Sequence, residues 1–242
     1  MTWRVAVVEA LREETSTART LTVRVPGWPG HRAGQHVDVR LTAPDGYTAV
    51  RSYSIASAPE EDLLELTVEL VEDGEVSPYL CQEVAVGDRF EVRGPVGGWF
   101  VWRPEQPEPV QLLGGGSGIV PLMSMLRVRG GAGSRAPARL LYSVRTPQVV
   151  YYAEELRRRE RSDAGLAVTL AYTRSAPADW PRRPGRVDAD LMSASTWPAD
   201  RHPTCYVCGP TGFVERVAGL LVEAGHDPGR IRTERFGPSG GT

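Results

Sequence analysis

The chain has 242 residues, 41% of them hydrophobic and 24% charged, with a formal net charge of -2. That length builds one or two domains with cores that need no disulfide or metal staples. The balanced charge excludes wholesale binding to a phosphate backbone, no apolar run approaches the ~18 residues of a membrane span, and the first residues lack a signal peptide's apolar centre.

Three cysteines, Cys81, Cys205 and Cys208, are too few for a disulfide framework and fit a reducing cytoplasm. They also cannot supply the four thiolates of an iron–sulfur cluster within this sequence. All 28 basic residues are arginine, and asparagine is absent too. No lysine is therefore present for a Schiff base or a P-loop, and no glycosylation sequon exists.

In chain order, the first hundred residues read as short Val- and Thr-rich strands: Trp3–Glu13, Thr20–Pro26, His36–Leu41, Thr48–Ile55, Leu64–Val71 and Asp88–Arg93. Turn formers such as Pro44-Asp45-Gly46 and Asp73-Gly74 separate them. Even spacing of this kind predicts an antiparallel β-barrel, with one helix at Val76–Val84. The Pro-rich piece Arg103–Pro109 reads as a linker. Beyond it, strands at Pro109–Leu113, Arg139–Val144, Ala167–Thr173, Thr204–Cys208 and Arg230–Phe236 alternate with helices. The helices run from the Gly-rich turn to about Val128, then over Tyr151–Arg161, Val187–Ser193 and Thr211–Ala224. This rhythm predicts an α/β doubly wound parallel sheet of five strands. The expected domains are residues 1–104 and 105–242.

Gly114-Gly115-Gly116-Ser117-Gly118 lies between a strand and a helix, where bare amides and the helix dipole favour an anion. Its spacing is not G-x-G-x-x-G, and the alternative is a tight turn only. An esterase elbow fails because Ile119 stands at its last glycine. Arg51-Ser52-Tyr53-Ser54 ends a barrel strand and offers a guanidinium, a ring and hydroxyls, although ordinary strand alternation reads the same way. Gly74-Glu75-Val76-Ser77 opens the barrel's helix, with Ser77 as a capping residue or as a second phosphate anchor. Cys205-x-x-Cys208 has no second pair and points to no metal. His31, His36, His202 and His226 lie in or beside loops and read as surface histidines. The run Arg157–Arg161 closes a helix, where cations suit the dipole; docking an acidic carrier is the alternative. Trp99 and Phe100 have no separable reading.

These motifs occur in order with Gly94-Pro95-x-Gly97, Cys208-Gly209-Pro210 and Glu234-x-Phe236. Together they resemble the ferredoxin–NADP reductase superfamily over essentially the whole chain. The resemblance implies a barrel that binds FAD and an α/β domain that binds NAD(P)H. It implies that Arg51 and Ser52 belong to the flavin site, with Arg51 on the pyrophosphate. Tyr53 packs on the isoalloxazine and Ser54 bonds near N5. The amides of Gly74, Glu75, Val76 and Ser77, with the Ser77 hydroxyl, take the phosphates. Gly116, Ser117 and Gly118 cradle the nicotinamide dinucleotide. Cys208, followed by Gly209 and Pro210, sits beside the nicotinamide, and Phe236 covers the flavin face that the nicotinamide must reach. Ser54, Cys208, Glu234 and Phe236 form the expected catalytic set. Plant-type members end on Tyr, whereas here Phe236 is followed by Gly237–Thr242.

Arg145 and Thr146 follow the second strand with no acidic residue to hold a ribose, while Arg174 ends the third and Arg186 lies in the next turn. The resemblance makes these arginines holders of the NADP 2′-phosphate, so NADPH is the expected donor, with NADH the alternative. The acceptor is expected to be a separate carrier protein such as a ferredoxin, because no iron–sulfur centre fits within the chain. The alternatives are a small-molecule acceptor (free flavin, a quinone or a ferric chelate), or a flavin-binding relay subunit without nicotinamide turnover.

Overall fold

The computed structural model describes residues 2–134 and 136–237. The chain divides into two compact units, Met1–Arg103 with Met123–Gly131, and Pro104–Leu122 with Ala132–Thr242.

The first unit holds strands β1 (Arg4–Thr15), β2 (Ala18–Arg24), β3 (His36–Thr42), β4 (Thr48–Ser54), β5 (Leu63–Glu69) and β6 (Arg89–Val96). They form one antiparallel sheet in the order β4-β3-β6-β1-β2-β5. The sheet curls like a barrel, but its end strands share a single bridge, Ile55 to Leu66, so the ladder does not close. Alternation puts Leu21 and Val23, Val37 and Val39, and Leu64 and Leu66 into one core. Full burial of each such side chain contributes about 1.5–3 kcal/mol. Two register shifts in β1 against β2, at Val8/Ala10 and Glu13/Thr15, supply the bend that the curl needs.

The expected helix at Val76–Val84 is corrected to one short turn. Tyr79–Glu83 is wound more widely than an α-helix, with Val84 N–H bonded to Tyr79 C=O. Pro78 stands at its entry, and no side chain caps it. Ser77 is buried and faces the preceding turn: its hydroxyl accepts from Val71 N–H at 3.0 Å.

The second unit holds β7 (Val110–Gly115), β8 (Ala138–Val144), β9 (Leu166–Tyr172), β10 (Thr204–Pro210) and β11 (Ile231–Phe236), all parallel. Their order is β11-β10-β7-β8-β9, the doubly wound pattern in which the chain reverses direction after β9. The helices are α1 (Ile119–Gly131), α2 (Ala153–Ser162), α3 (Ala189–Ser195) and α4 (Thr211–Glu223). Asp188 caps α3, accepting from Leu191 N–H at 2.8 Å, which moves that helix two residues beyond its expected start. In α4, Val214, Val217 and Leu221 fall on one stripe and pack against β7 and β10 residues Leu113, Cys205 and Val207. The second half of α1 belongs with the first unit: Ser124 Oγ donates to Ser57 C=O at 2.7 Å, and Arg127 pairs with Glu65 at 2.6 Å.

Two of the four histidines correct the surface reading. His31 is 7% exposed and His226 5% exposed. Trp28 Nε1–H points at His31 Nδ1 (3.4 Å), so Nε2 carries the proton and donates to Ser57 C=O at 3.1 Å. His226 lies against Cys205, with Nδ1 3.9 Å from Sγ. Among the described residues no helix is long and apolar enough to cross a membrane.

Candidate functional site

The doubly wound order has a consequence for the second unit. Because β8 and β10 flank β7 through crossovers on opposite sides, a crevice opens at the C-terminal ends of β7 and β10. The Gly-rich turn and Cys208-Gly209-Pro210 are the residues that lie there. Gly116 to Gly118 form a tight turn at the positive end of the 13-residue α1, with φ +55° at Gly116 and open space where its side chain would be. A Cβ at Gly118 would lie 2.1 Å from Cys208 C=O and 2.7 Å from Gly209 N. Only glycine allows the two backbones this close, so the cradle presents main-chain groups rather than side chains. Ser117 completes the turn between the two glycines, half-buried.

Cys208 is fully buried, and burial with the neighbouring Glu234 carboxylate pushes its thiol well above the ordinary range. Glu234 stands opposite Cys208 in the β10–β11 register, and Phe236 stands opposite Pro210. Three of the expected catalytic residues thus share one end of the parallel sheet. Residues 238–242, most of the expected tail after Phe236, lie outside the described residues.

Arg145 and Arg174 meet at the neighbouring edge. The Arg145 C=O accepts from Arg174 N–H at 2.9 Å, and both side chains are exposed. Gly185 N–H donates to Tyr172 C=O at 2.9 Å, which brings the Gly185-Arg186 turn beside the end of β9. Thr146 opens the short turn after β8, where its C=O accepts from Val149 N–H. Arg182, not expected from the sequence, is tied to Asp188 at 2.9 Å.

In the first unit, β4 ends in Tyr53 and Ser54. Tyr53 packs on the barrel core, and burial with nearby Cys81 pushes its phenol far up, which keeps it neutral. Ser54 is 6% exposed, and its Oγ has no hydrogen-bond partner. An unpaired buried hydroxyl costs about 1–3 kcal/mol, which a bound hydrogen-bond acceptor would relieve. That orphan, one residue after Tyr53, fits a bound group that offers a hydrogen-bond acceptor.

Two motif residues differ from expectation. Ser52 gives its hydroxyl to Asp38 (2.7 Å), which Arg93 also holds (2.7 Å), so it cross-links β3, β4 and β6. The Ser77 hydroxyl accepts from Val71 N–H at 3.0 Å and does not cap the helix. Gly74 makes that contact possible, since a Cβ there would come 2.9 Å from Ser77 Oγ. Val76 is fully buried, leaving main-chain groups as all that this turn offers besides Glu75.

Arg51 is half exposed and pairs with Glu75 of the same turn, and the hydroxyl of Tyr47 donates to that carboxylate too. Tyr47 escaped sequence reasoning because it sits in the β3–β4 hairpin, 28 residues from Glu75. Only a spacing of four from Arg51 on a hairpin hinted at it.

Comparison with known proteins agrees with the two-unit fold. The Oxidoreductase FAD-binding domain family matches residues 7–101, and the Oxidoreductase NAD-binding domain family matches residues 112–219. The ferredoxin–NAD(P)(+) reductase component of the naphthalene 1,2-dioxygenase/salicylate 5-hydroxylase systems of Ralstonia sp. is 31% identical over 96% of this chain and 69% of its own length. A flavohemoprotein of Halalkalibacterium halodurans is 26% identical over 98% of the chain and 61% of its own length. The chain thus spans 69% and 61% of the length of these two relatives, and about half of several others. Among solved structures, the flavohem-like FAD/NAD binding domain of nitric oxide dioxygenase from Vibrio cholerae superposes with a TM-score of 0.87, at 24% identity, over 97% of this chain and 99% of its own. The chain belongs to the ferredoxin–NADP reductase superfamily and is an oxidoreductase of FAD and nicotinamide nucleotides.

Proposed function

We propose that the protein takes reducing equivalents from NADPH and passes them through FAD to a separate electron carrier, a ferredoxin, in a reducing cytoplasm. In this reading residues 1–104 bind FAD and residues 105–242 bind the nicotinamide nucleotide. The observation that carries it is the close approach of Gly118 to Cys208 at the sheet's switch point, a main-chain cradle shaped for a dinucleotide pyrophosphate.

FAD bound at β4 supplies hydride acceptance and stepwise electron release; orientation and electrostatics come from the protein. Arg51 and the amides of Gly74 to Ser77 hold its pyrophosphate, Tyr53 offers a neutral ring for stacking, and Ser54 gives its hydroxyl to the ring edge. Gly116, Ser117 and Gly118 hold the nicotinamide dinucleotide's phosphates. Cys208, as a neutral thiol, lines the nicotinamide's place with Gly209, Pro210, Glu234 and Phe236. Arg145, Arg174 and Arg186, with Thr146 beside them, take the 2′-phosphate.

The ferredoxin assignment is supported by the relatives named as ferredoxin reductase components and by a sequence with only three cysteines. Visible spectra of the purified protein before and after anaerobic NADPH or NADH test the first half: a yellow protein bleached faster by NADPH is expected. A flavin that no nicotinamide nucleotide bleaches would favour the relay subunit. If no ferredoxin outcompetes free flavin or a quinone as acceptor, the small-molecule reductase becomes the better reading.

A further inference from the structure

Glu75 stands in the turn assigned above to the flavin's phosphates, yet it is the one side chain there that repels them. Its carboxylate is held from two directions, by Arg51 Nη2 on β4 and by the Tyr47 hydroxyl on the β3–β4 hairpin. The other terminal nitrogen of Arg51 donates to Val50 C=O at 2.7 Å. The guanidinium is therefore engaged at both ends. Three of the five N–H donors of Arg51 make neither bond, so a pyrophosphate there shares the guanidinium with the Glu75 carboxylate, anion beside anion. Those two partners also keep Glu75 below the usual carboxylate range, so it is ionised at neutral pH. Space exists for Glu75 to swing aside: Tyr47 and Glu75 border a cleft of about 520 Å³ that Arg89, Glu83 and the Arg40–Glu91 pair also line.

We propose that Glu75 is an internal competitor for the flavin pyrophosphate, setting how tightly FAD is held and how far FAD is preferred over flavins without a pyrophosphate. The inference rests on the assignment of Arg51 to that pyrophosphate. An exposed ion pair of this kind contributes little, so the competition is worth about 1.4- to 5-fold in affinity. FAD displaces Glu75 when it binds, whereas riboflavin, which carries no phosphate, does not need Arg51.

Titration of the flavin-stripped full chain, followed by flavin fluorescence, tests this without turnover. Glu75→Gln is expected to tighten FAD by about 1.4- to 5-fold and to leave riboflavin unchanged. Tyr47→Phe, which removes one of the two anchors of Glu75, moves FAD affinity the same way by less. Arg51→Ala weakens FAD by at least about tenfold, and Glu75→Gln then adds nothing in that background. Equal or weaker FAD binding by Glu75→Gln, with Arg51→Ala still damaging, overturns the competition while the phosphate site stands. If Arg51→Ala leaves FAD binding unchanged, the site assignment itself fails, and the inference with it.

Discussion

Cys208 owes its chemistry to its seat. It lies at the end of a central strand, fully buried beside Glu234, and both conditions disfavour a thiolate. A neutral thiol positions a ring by contact and does not attack it. Cys208→Ser should therefore keep measurable turnover, while Cys208→Ala should slow flavin reduction by NADPH by about 10- to 100-fold through lost alignment. Stopped-flow bleaching of the flavin separates these outcomes, and an alkylated Cys208 that leaves the rate untouched would remove the residue from the site. Cys205, three residues earlier, contrasts with it. Burial pushes its thiol up to about 12, and it contacts His226 in the helical layer's core instead of the cradle.

At the scale of elements, function gathers where strands end. The main chain joins the C-terminal ends of β8 and β9 through Arg145 and Arg174, and Arg186 arrives on the following turn. Replacing Arg145 and Arg174 together with alanine should lower kcat/KM for NADPH by about 10- to 100-fold, the cost of a lost charge-assisted contact. The same variant should leave NADH almost unchanged. An equal loss with both coenzymes would show that the pair supports the fold and not the phosphate.

The link from β2 to β3 behaves differently, because it carries a buried titratable group, His31, bonded to Ser57 of the β4–β5 link. Burial lowers the pKa of His31 from its ordinary 6.5, while the bond to Ser57 acts weakly the other way. Above that ordinary value neither folded nor unfolded His31 binds a proton, and its contribution to stability is complete. As pH falls below it the unfolded chain protonates first, so stability declines until the folded value is passed. Thermal melts from pH 7.5 to 5 should show Tm falling, with a smaller fall in His31→Gln, which still donates to Ser57 but does not titrate. Parallel melting curves for the two proteins would assign the decline to other groups, His226 first among them, since burial lowers it also.

For the whole molecule, the proposed acidic partner is tested through charge. On the exposed side of α2, Arg157, Arg158 and Arg161 stand free of the pair that Arg159 makes with Glu155. An acidic carrier steered by such arginines is slowed as salt shortens the Debye length, ~10 Å at 0.1 M. Reduction of a ferredoxin by NADPH should fall steeply between low and moderate salt, while ferricyanide reduction changes much less. Equal salt slopes for both acceptors would speak against steered docking.

Much of this architecture was legible along the chain. Strand boundaries, the two rhythms and the glycine turn follow from local rules, since period-2 alternation and Gly or Pro punctuation act within a few residues. The ordered motifs carried the family in the same way. What the sequence left undetermined depends on partners far apart in the chain. His31 and His226 look like loop histidines until Trp28, Ser57 and Cys205 close over them. Ser52 and Ser77 read as ligands, but Asp38, 14 residues away, and the Val71 backbone claim their hydroxyls. The helix after Gly74 shrank to one turn because Ser77 folds back on Val71 instead of capping it, with Pro78 at the entry. Glu75 counted only as a backbone amide until the hairpin brought Tyr47 to its carboxylate. Hydrogen bonds and desolvation are decided by which atoms arrive within about 3 Å, and that selection is made by tertiary packing.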